Sequence, residues 1–310
     1  MTRKITQLLL TLVLLLLCSL SLAFSQSEQD AYRVEVFNST DMPEIDISTS
    51  GGFISVLGHD ENEVKVVMYV RRGGNYLFPS DHDLSDYEID ISQSGSRIIA
   101  SAKRKNGLTG FFRNNNISVS FEVYAPANST VEGNTSGGSI TVENIHNNVN
   151  MSTSGGSVNA KDLTGNIALR TSGGSISLKN LNGIISARTS GGTLNIDEVF
   201  GTADLSTSGG SIRISDSGGK LSARTSGGSI RADLEEFSDD VELRTSGGNI
   251  SITLPRTDHF NMELRGFRVN TELRNFTGQS ERNSITGRVG NGGPLLVART
   301  SGGSVSLEYE

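Results

Sequence analysis

The tetrapeptide Thr-Ser-Gly-Gly begins at Thr135, Thr153, Thr171, Thr189, Thr207 and Thr225, each copy eighteen residues after the last. It returns at Thr245 after a two-residue insertion, with outlying copies at Thr49 and Thr300. A fixed period of this length marks a solenoid, in which one unit cannot bury its own apolar face and must stack on its neighbours. Numbered from its Thr, the unit has at position six Ile140, Val158, Ile176, Leu194, Ile212 and Ile230, and at position eight Val142, Ala160, Leu178, Ile196, Ile214 and Ala232. Position eleven is Ile145, Leu163, Leu181, Val199, Ser217 and, past the insertion, Phe237; positions fifteen and seventeen run from Val149/Met151 through Ile185/Ala187 to Val241/Leu243. Six alternates with eight, and fifteen with seventeen, which is the period of a strand with one buried face. Each unit therefore reads as two short strands. Glycines at positions three and four turn the chain by accepting a positive φ, and a second corner falls where Gly165, Gly183, Gly201 and Gly219 recur. Stacked in parallel at about 4.8 Å per coil, six regular units make a rod of roughly 29 Å.

Composition agrees: 36 Gly, 5 Pro, no Trp and an abundance of Ser, Thr and Asn favour short strands and tight turns over helices. Residues 1–25 differ. Arg3 and Lys4 precede an apolar run from Leu8 to Leu17, and Ala23-Phe24-Ser25 offers small residues to a leader peptidase, so a signal peptide cut after Ser25 is expected. Cys18 follows the bulky Leu17 and is not expected to be acylated. Loss of Arg3 and Lys4 takes the net charge from −7 to −9 and removes the single cysteine, leaving no disulfide or thiol chemistry. An acidic chain is a poor partner for nucleic acid, and no later segment is apolar enough to span a bilayer. The expected organisation is one all-β domain over residues 26–310: an opening, capping part (26–134), regular coils (135–244), and irregular coils with a closing strand (245–310). The chain ends on a TSGG strand, so no sorting tail or anchor is expected after it.

His59, His82, His146 and His259 lie far apart without ligand or base spacing. TSGG lacks the Lys and the following helix of a phosphate loop, and the Asp of a calcium nonapeptide. Asp197, Glu198 and Asp216, at positions nine and ten, are the carboxylates a polysaccharide-acting β-helix enzyme would need, although mixed charges along those rows suit a solvated edge. No catalytic, cofactor or metal residue is assigned.

Two surfaces are candidate contact sites. Position eighteen holds Arg170, Arg188, Arg224, Arg244 and, in the last coil, Arg299, interrupted by Asn134, Ser152 and Ser206. Like charges at stacking distance repel, so the row implies either intervening acceptors or an anionic partner. The excursions Gly73 to Asp86 and Asn106 to Asn115 carry Tyr76/Phe78 and Phe111/Phe112. They read as a cap over the open end of the core, or as an aromatic surface for a glycan or protein.

The sequence resembles the bacterial putative-adhesin domain family of unknown function, exported Gly/Ser/Thr-rich β-solenoids with a repeated "TSGGSI.L.NL.G.I..R" line. "EIDISTSGGFISVLG" looks like its opening, "VYAPANSTVEGNTSGG" like its passage into regular coils, and "LLVARTSGGSVSLEYE" like its close. The resemblance implies a single-domain, right-handed parallel β-helix and supplies no catalytic residues. The expected function is that of an exported, non-enzymatic adhesin or envelope-surface interaction protein, in the periplasm, at the cell surface or secreted, with surface glycans or envelope proteins as partners. A lyase or hydrolase is the alternative. Ice or mineral binding through Thr ranks would need position one to face outward, against the alternation.

Overall fold

A computed structural model describes residues 29–39, 42–80, 84–105 and 117–310. The expected leader, Cys18, His82, Phe111 and Phe112 lie outside the described residues. Among the described residues, twenty-five strands form one hydrogen-bonded sheet wound into stacked coils, parallel in the middle and antiparallel at both ends. Ile54, Ile140, Val158, Ile176, Leu194, Ile212, Ile230, Ile250 and Val305 stand side by side in one in-register row. The row through position fifteen runs likewise from Ile45 to Met262. In the Thr171 coil, Ile176, Leu178, Leu181, Ile185 and Ala187 are 0–2% exposed, and the apolar core continues unbroken from Ile45 to Leu307. Burying each such aliphatic side chain stabilises the fold by about 1.5–3 kcal/mol.

The first corner is built differently from the expectation. No TSGG glycine has a positive φ. The second glycine is needed because the backbones touch: a Cβ on Gly174 or Gly192 would lie 2.0 Å from the carbonyl oxygen of the equivalent glycine one coil earlier, whereas the nearest atom to a Cβ on Gly191 is at 3.5 Å. The Thr of each copy is buried and closes the same corner. Thr189 Oγ1 donates to Gly174 O (2.8 Å) and accepts from Gly192 N (3.2 Å), and the arrangement recurs from Thr135 to Thr300. With its hydroxyl consumed inside, position one offers no outward Thr rank.

The second corner is a bend within continuous strands, as in Val158–Arg170, Ile176–Arg188 and Leu194–Ser206. Position ten takes the left-handed conformation at Asn144, Asp162, Asn180, Glu198 and Asp216 (φ 48–57°), and Gly165, Gly183, Gly201 and Gly219 follow at φ 86–135°. Short polar side chains tolerate that conformation because they hydrogen-bond locally, which explains the Asn/Asp preference. The Thr225 coil lacks this extra residue. Its pairing shifts after Ile214, and Leu234 rather than Phe237 pairs with Ser217 in the position-eleven row. Phe237 instead packs edge-on against Phe260, ring centroids 5.6 Å apart.

All nine TSGG copies are contiguous in space, with one coil lacking the motif at each end. At the front, Arg97–Arg104 and Ile117–Pro126 pair in parallel with Glu44–Thr49 and Ile54–His59. Antiparallel strands Tyr87–Ser94, Glu63–Arg72 and Arg33–Asn38 then close that end. At the back, Leu295–Thr300 lies between Val241–Thr245 and Phe260–Arg265, so the last coil in sequence is second to last in space. Ser284–Val289 and Phe276–Ser280 finish the stack antiparallel. An antiparallel final layer ends the parallel register that would otherwise template further strands.

Candidate functional site

The inward residues at fifteen and seventeen force sixteen and eighteen outward, on one face and two residues apart. The arginines thus project beside position sixteen of their own and neighbouring strands. Asp204 bridges Arg188 and Arg224, Glu242 bridges Arg224 and Arg244, and Glu263 pairs with Arg299. Intervening acceptors therefore exist, and exposed pairs of this kind contribute about 0–1 kcal/mol each. Arg170 differs: position sixteen around it is Asn150, Ala168 and Ser186, and no carboxylate pairs with it among the described residues.

Toward the back end the row is uninterrupted. Arg224, Arg244, Arg299 and Arg265 occupy four consecutive coils in register. Together with the position-two serines they line a groove of about 810 Å³ closed by Phe267 and Asn283. Phe267 is 70% exposed although its backbone N–H is fixed to Gly303 O at 2.8 Å, and the Arg282 guanidinium sits 5.8 Å from its ring centroid.

A second site lies on a different face at the front end. Tyr69 packs between Phe53 (5.9 Å) and Tyr76 (5.8 Å). The Arg71 guanidinium lies over Phe53 and Tyr76 at 5.3 and 4.4 Å. Glu122 accepts from the hydroxyls of Tyr69 (2.6 Å) and Tyr124 (3.0 Å), and Phe53, Tyr69, Tyr76 and Glu122 border a hollow of about 480 Å³ reached by Asp30.

Residues 18–308 match the Toastrack DUF4097 family, the TSGG solenoid family its repeat line resembles. The chain belongs to the Toastrack DUF4097 family. No curated protein matches it. Among solved structures it is similar to a putative adhesin from Bacteroides fragilis NCTC 9343, at 11% identity, 90% of this chain, 96% of that chain and TM-score 0.40. It is also similar to a putative cell adhesion protein from Clostridium sporogenes ATCC 15579, at 10% identity, 90% and 99% coverage and TM-score 0.20.

In this Toastrack protein the anticipated contact residues do not form one site. Arg224 and Arg244 join the back groove, Arg170 and Arg188 extend its row forward, and Tyr76 enters the front aromatic cluster. Phe78 is 38% exposed. Phe53, Tyr69 and Glu122 were missed because they meet Tyr76 only through non-local strand pairing. Arg265 and Phe267 were missed because "LRGF" stands outside the TSGG period, although Arg before Gly echoes position eighteen. Asp204 and Glu242 were readable by aligning position sixteen.

Two carboxylates of the enzyme alternative meet one cation. Asp197 holds Lys179 at 2.8 Å, and that hydrogen bond and charge raise the Lys179 pKa. Glu198 lies 3.9 Å from the same ammonium, and its backbone, like that of Asp216, takes the left-handed bend. The Asn180 amide donates to Asp162 at 2.6 Å and lowers its pKa. His146 hydrogen-bonds Thr164 and Asn144, while His59 and His259 accept from nearby backbone N–H groups. No group of three or more metal-ligating side chains occurs among the described residues.

Proposed function

We propose that this chain acts as an exported, non-enzymatic solenoid that presents its polar faces for adhesion-like or envelope-surface interactions with glycans or envelope proteins. The observation that carries this reading is the outward arginine row, held in register by a core devoted to stacking. A coil fixed on both sides cannot rearrange around a substrate, but it can offer one functional group at a constant interval along a face. The grouping of carboxylates needed for glycoside cleavage is replaced by pairs with Lys179 and by the bend at position ten, which favours binding over hydrolysis.

Purified mature chain applied to intact cells and to a glycan array tests the proposal, together with fractionation of cells making a tagged full-length chain. Adhesion or array binding with the tag in an exported fraction is expected. Blank results on both surfaces, or a tag confined to the cytosol, would overturn it.

A further inference from the structure

We infer that the back-end groove is a binding site for a linear anionic polysaccharide, one bearing carboxylate or sulfate groups along its length; this deepens the interaction reading above and rests on it. Four guanidinium groups, those of Arg224, Arg244, Arg299 and Arg265, follow one another across consecutive coils, about 4.8 Å apart at their backbones. Three carboxylates serve them, Glu242, Glu263 and Asp204, the last shared with Arg188, so the row of five arginines from Arg188 to Arg265 keeps an excess of two positive charges on a chain of net charge −7. Arg265 has no carboxylate partner among the described residues.

Planar guanidinium groups bind carboxylate and sulfate oxygens bidentately, and a row of them at constant spacing suits a ligand whose anionic groups also recur along a line. Phe267 decides between classes of polyanion. An exposed phenyl ring anchored by its own backbone at the end of a cationic groove presents a flat apolar face, which matches the C–H face of a sugar ring. The arginines are confined to one strip of a negative chain, which favours a single narrow anionic strand of any charge type, so the choice of polysaccharide rests on Phe267.

The test is binding of the mature chain to immobilised polygalacturonate, chondroitin sulfate, neutral dextran and an oligothymidylate over a range of salt. Polygalacturonate or chondroitin sulfate should bind, more weakly as salt rises, and dextran should not; which of the two binds distinguishes carboxylate from sulfate recognition. Arg244→Ser with Arg299→Ser should lose about tenfold or more in affinity, and Phe267→Ser about threefold with the salt dependence unchanged. Glu242→Gln should tighten binding by about two- to threefold by freeing Arg244 and leaving Arg224 only its longer contact with Asp204, a gain that a purely structural ladder would not give. Arg244 and Arg299 are each about half exposed, so circular dichroism and melting temperature should be near wild type.

The assignment is overturned if neither anionic glycan binds, if the double variant binds unchanged, or if the oligothymidylate binds as tightly as the glycans. Equal adhesion of wild type and double variant to cells, with no anionic glycan bound, would remove the groove and leave the broader adhesion reading standing. Glycan binding lost in the double variant, with no adhesion to cells, would do the reverse.

Discussion

Between Thr135 and Thr245 every coil rests on the one written just before it, and each corner Thr reaches back 15 residues, or 17 across the insertion, for its carbonyl partner. At the two ends the same hydrogen bond spans 83 residues, from Thr135 to Gly52, and 52 residues, from Thr300 to Gly248. The bond lengths are alike, 2.8 and 2.7 Å, so the corner is indifferent to the length of chain between its halves. What differs is the layer beyond. A middle coil has a backbone against both faces, whereas the outermost coils meet antiparallel strands and aromatic rings such as Tyr87, Phe260 and Tyr309. Fit between corners orders the stack, and its ends are closed by segments that lack the corner.

Substitution at the second corner glycine should separate these regions most clearly. Gly192→Ala puts a Cβ 2.0 Å from Gly174 O, in a coil clamped on both sides, and is expected to cost about 3–5 kcal/mol, at or above the upper range for overpacking. Gly52→Ala makes an equally close approach, 1.8 Å to Val119 O, but beyond that strand lies an antiparallel cap strand, Glu63–Arg72, in place of further stacked corners, so about 1–3 kcal/mol is expected. Gly191→Ala should change stability by less than about 0.5 kcal/mol. Denaturant unfolding measures all three, and equal losses for Gly192→Ala and Gly52→Ala would abolish the distinction between middle and end.

Thr189→Val, which keeps the shape and strands Gly174 O and Gly192 N, should cost about 1–3 kcal/mol. Hydrogen exchange should then report faster opening at that corner. Glu198→Asn should raise stability by up to about 1 kcal/mol, because Glu sits at φ 55° where the neighbouring coils use Asn or Asp; an unchanged melting temperature would show that the bend imposes no strain.

The smallest effect at neutral pH belongs to the ends. Burial raises the pKa of Tyr87 and Tyr309 above the ordinary 10.0. The fold favours the neutral phenol, so this stabilisation is complete below pH about 10 and is lost as pH rises through the raised folded values. Alkaline titration should therefore loosen the caps before the middle coils, and Tyr309→Phe should reduce that response at the back end alone. Exchange rates measured coil by coil would refute this if the middle opened first.

The inward rows were legible because each apolar position is written repeatedly and alternation fixes its side. The failures have physical causes. Gly at positive φ and Gly under a touching backbone look identical in sequence, so the corner was assigned the wrong reason. Phe237 was misplaced because dropping the left-handed residue from the Thr225 coil advances Leu234 by one position. At position ten the sequence shows Glu198 and Asp216 as candidate carboxylates on a solvated edge, whereas its Asn, Asp and Glu residues share a left-handed backbone that side-chain chemistry alone does not reveal. Tyr76, one of the aromatics anticipated as a contact surface, enters a cluster whose other members, Phe53 and Tyr69, arrive through strand pairing.

By itself the sequence determined the coil: its length, its inward residues and its need for neighbours, all of which follow from period, burial and local chemistry. The tertiary structure alone decided which coils are neighbours at the ends, that Arg265 continues the arginine row, and that Phe267 stands at its close. Those relations depend on pairings across 34 or more residues, and a repeat that fits any copy of itself does not specify them locally.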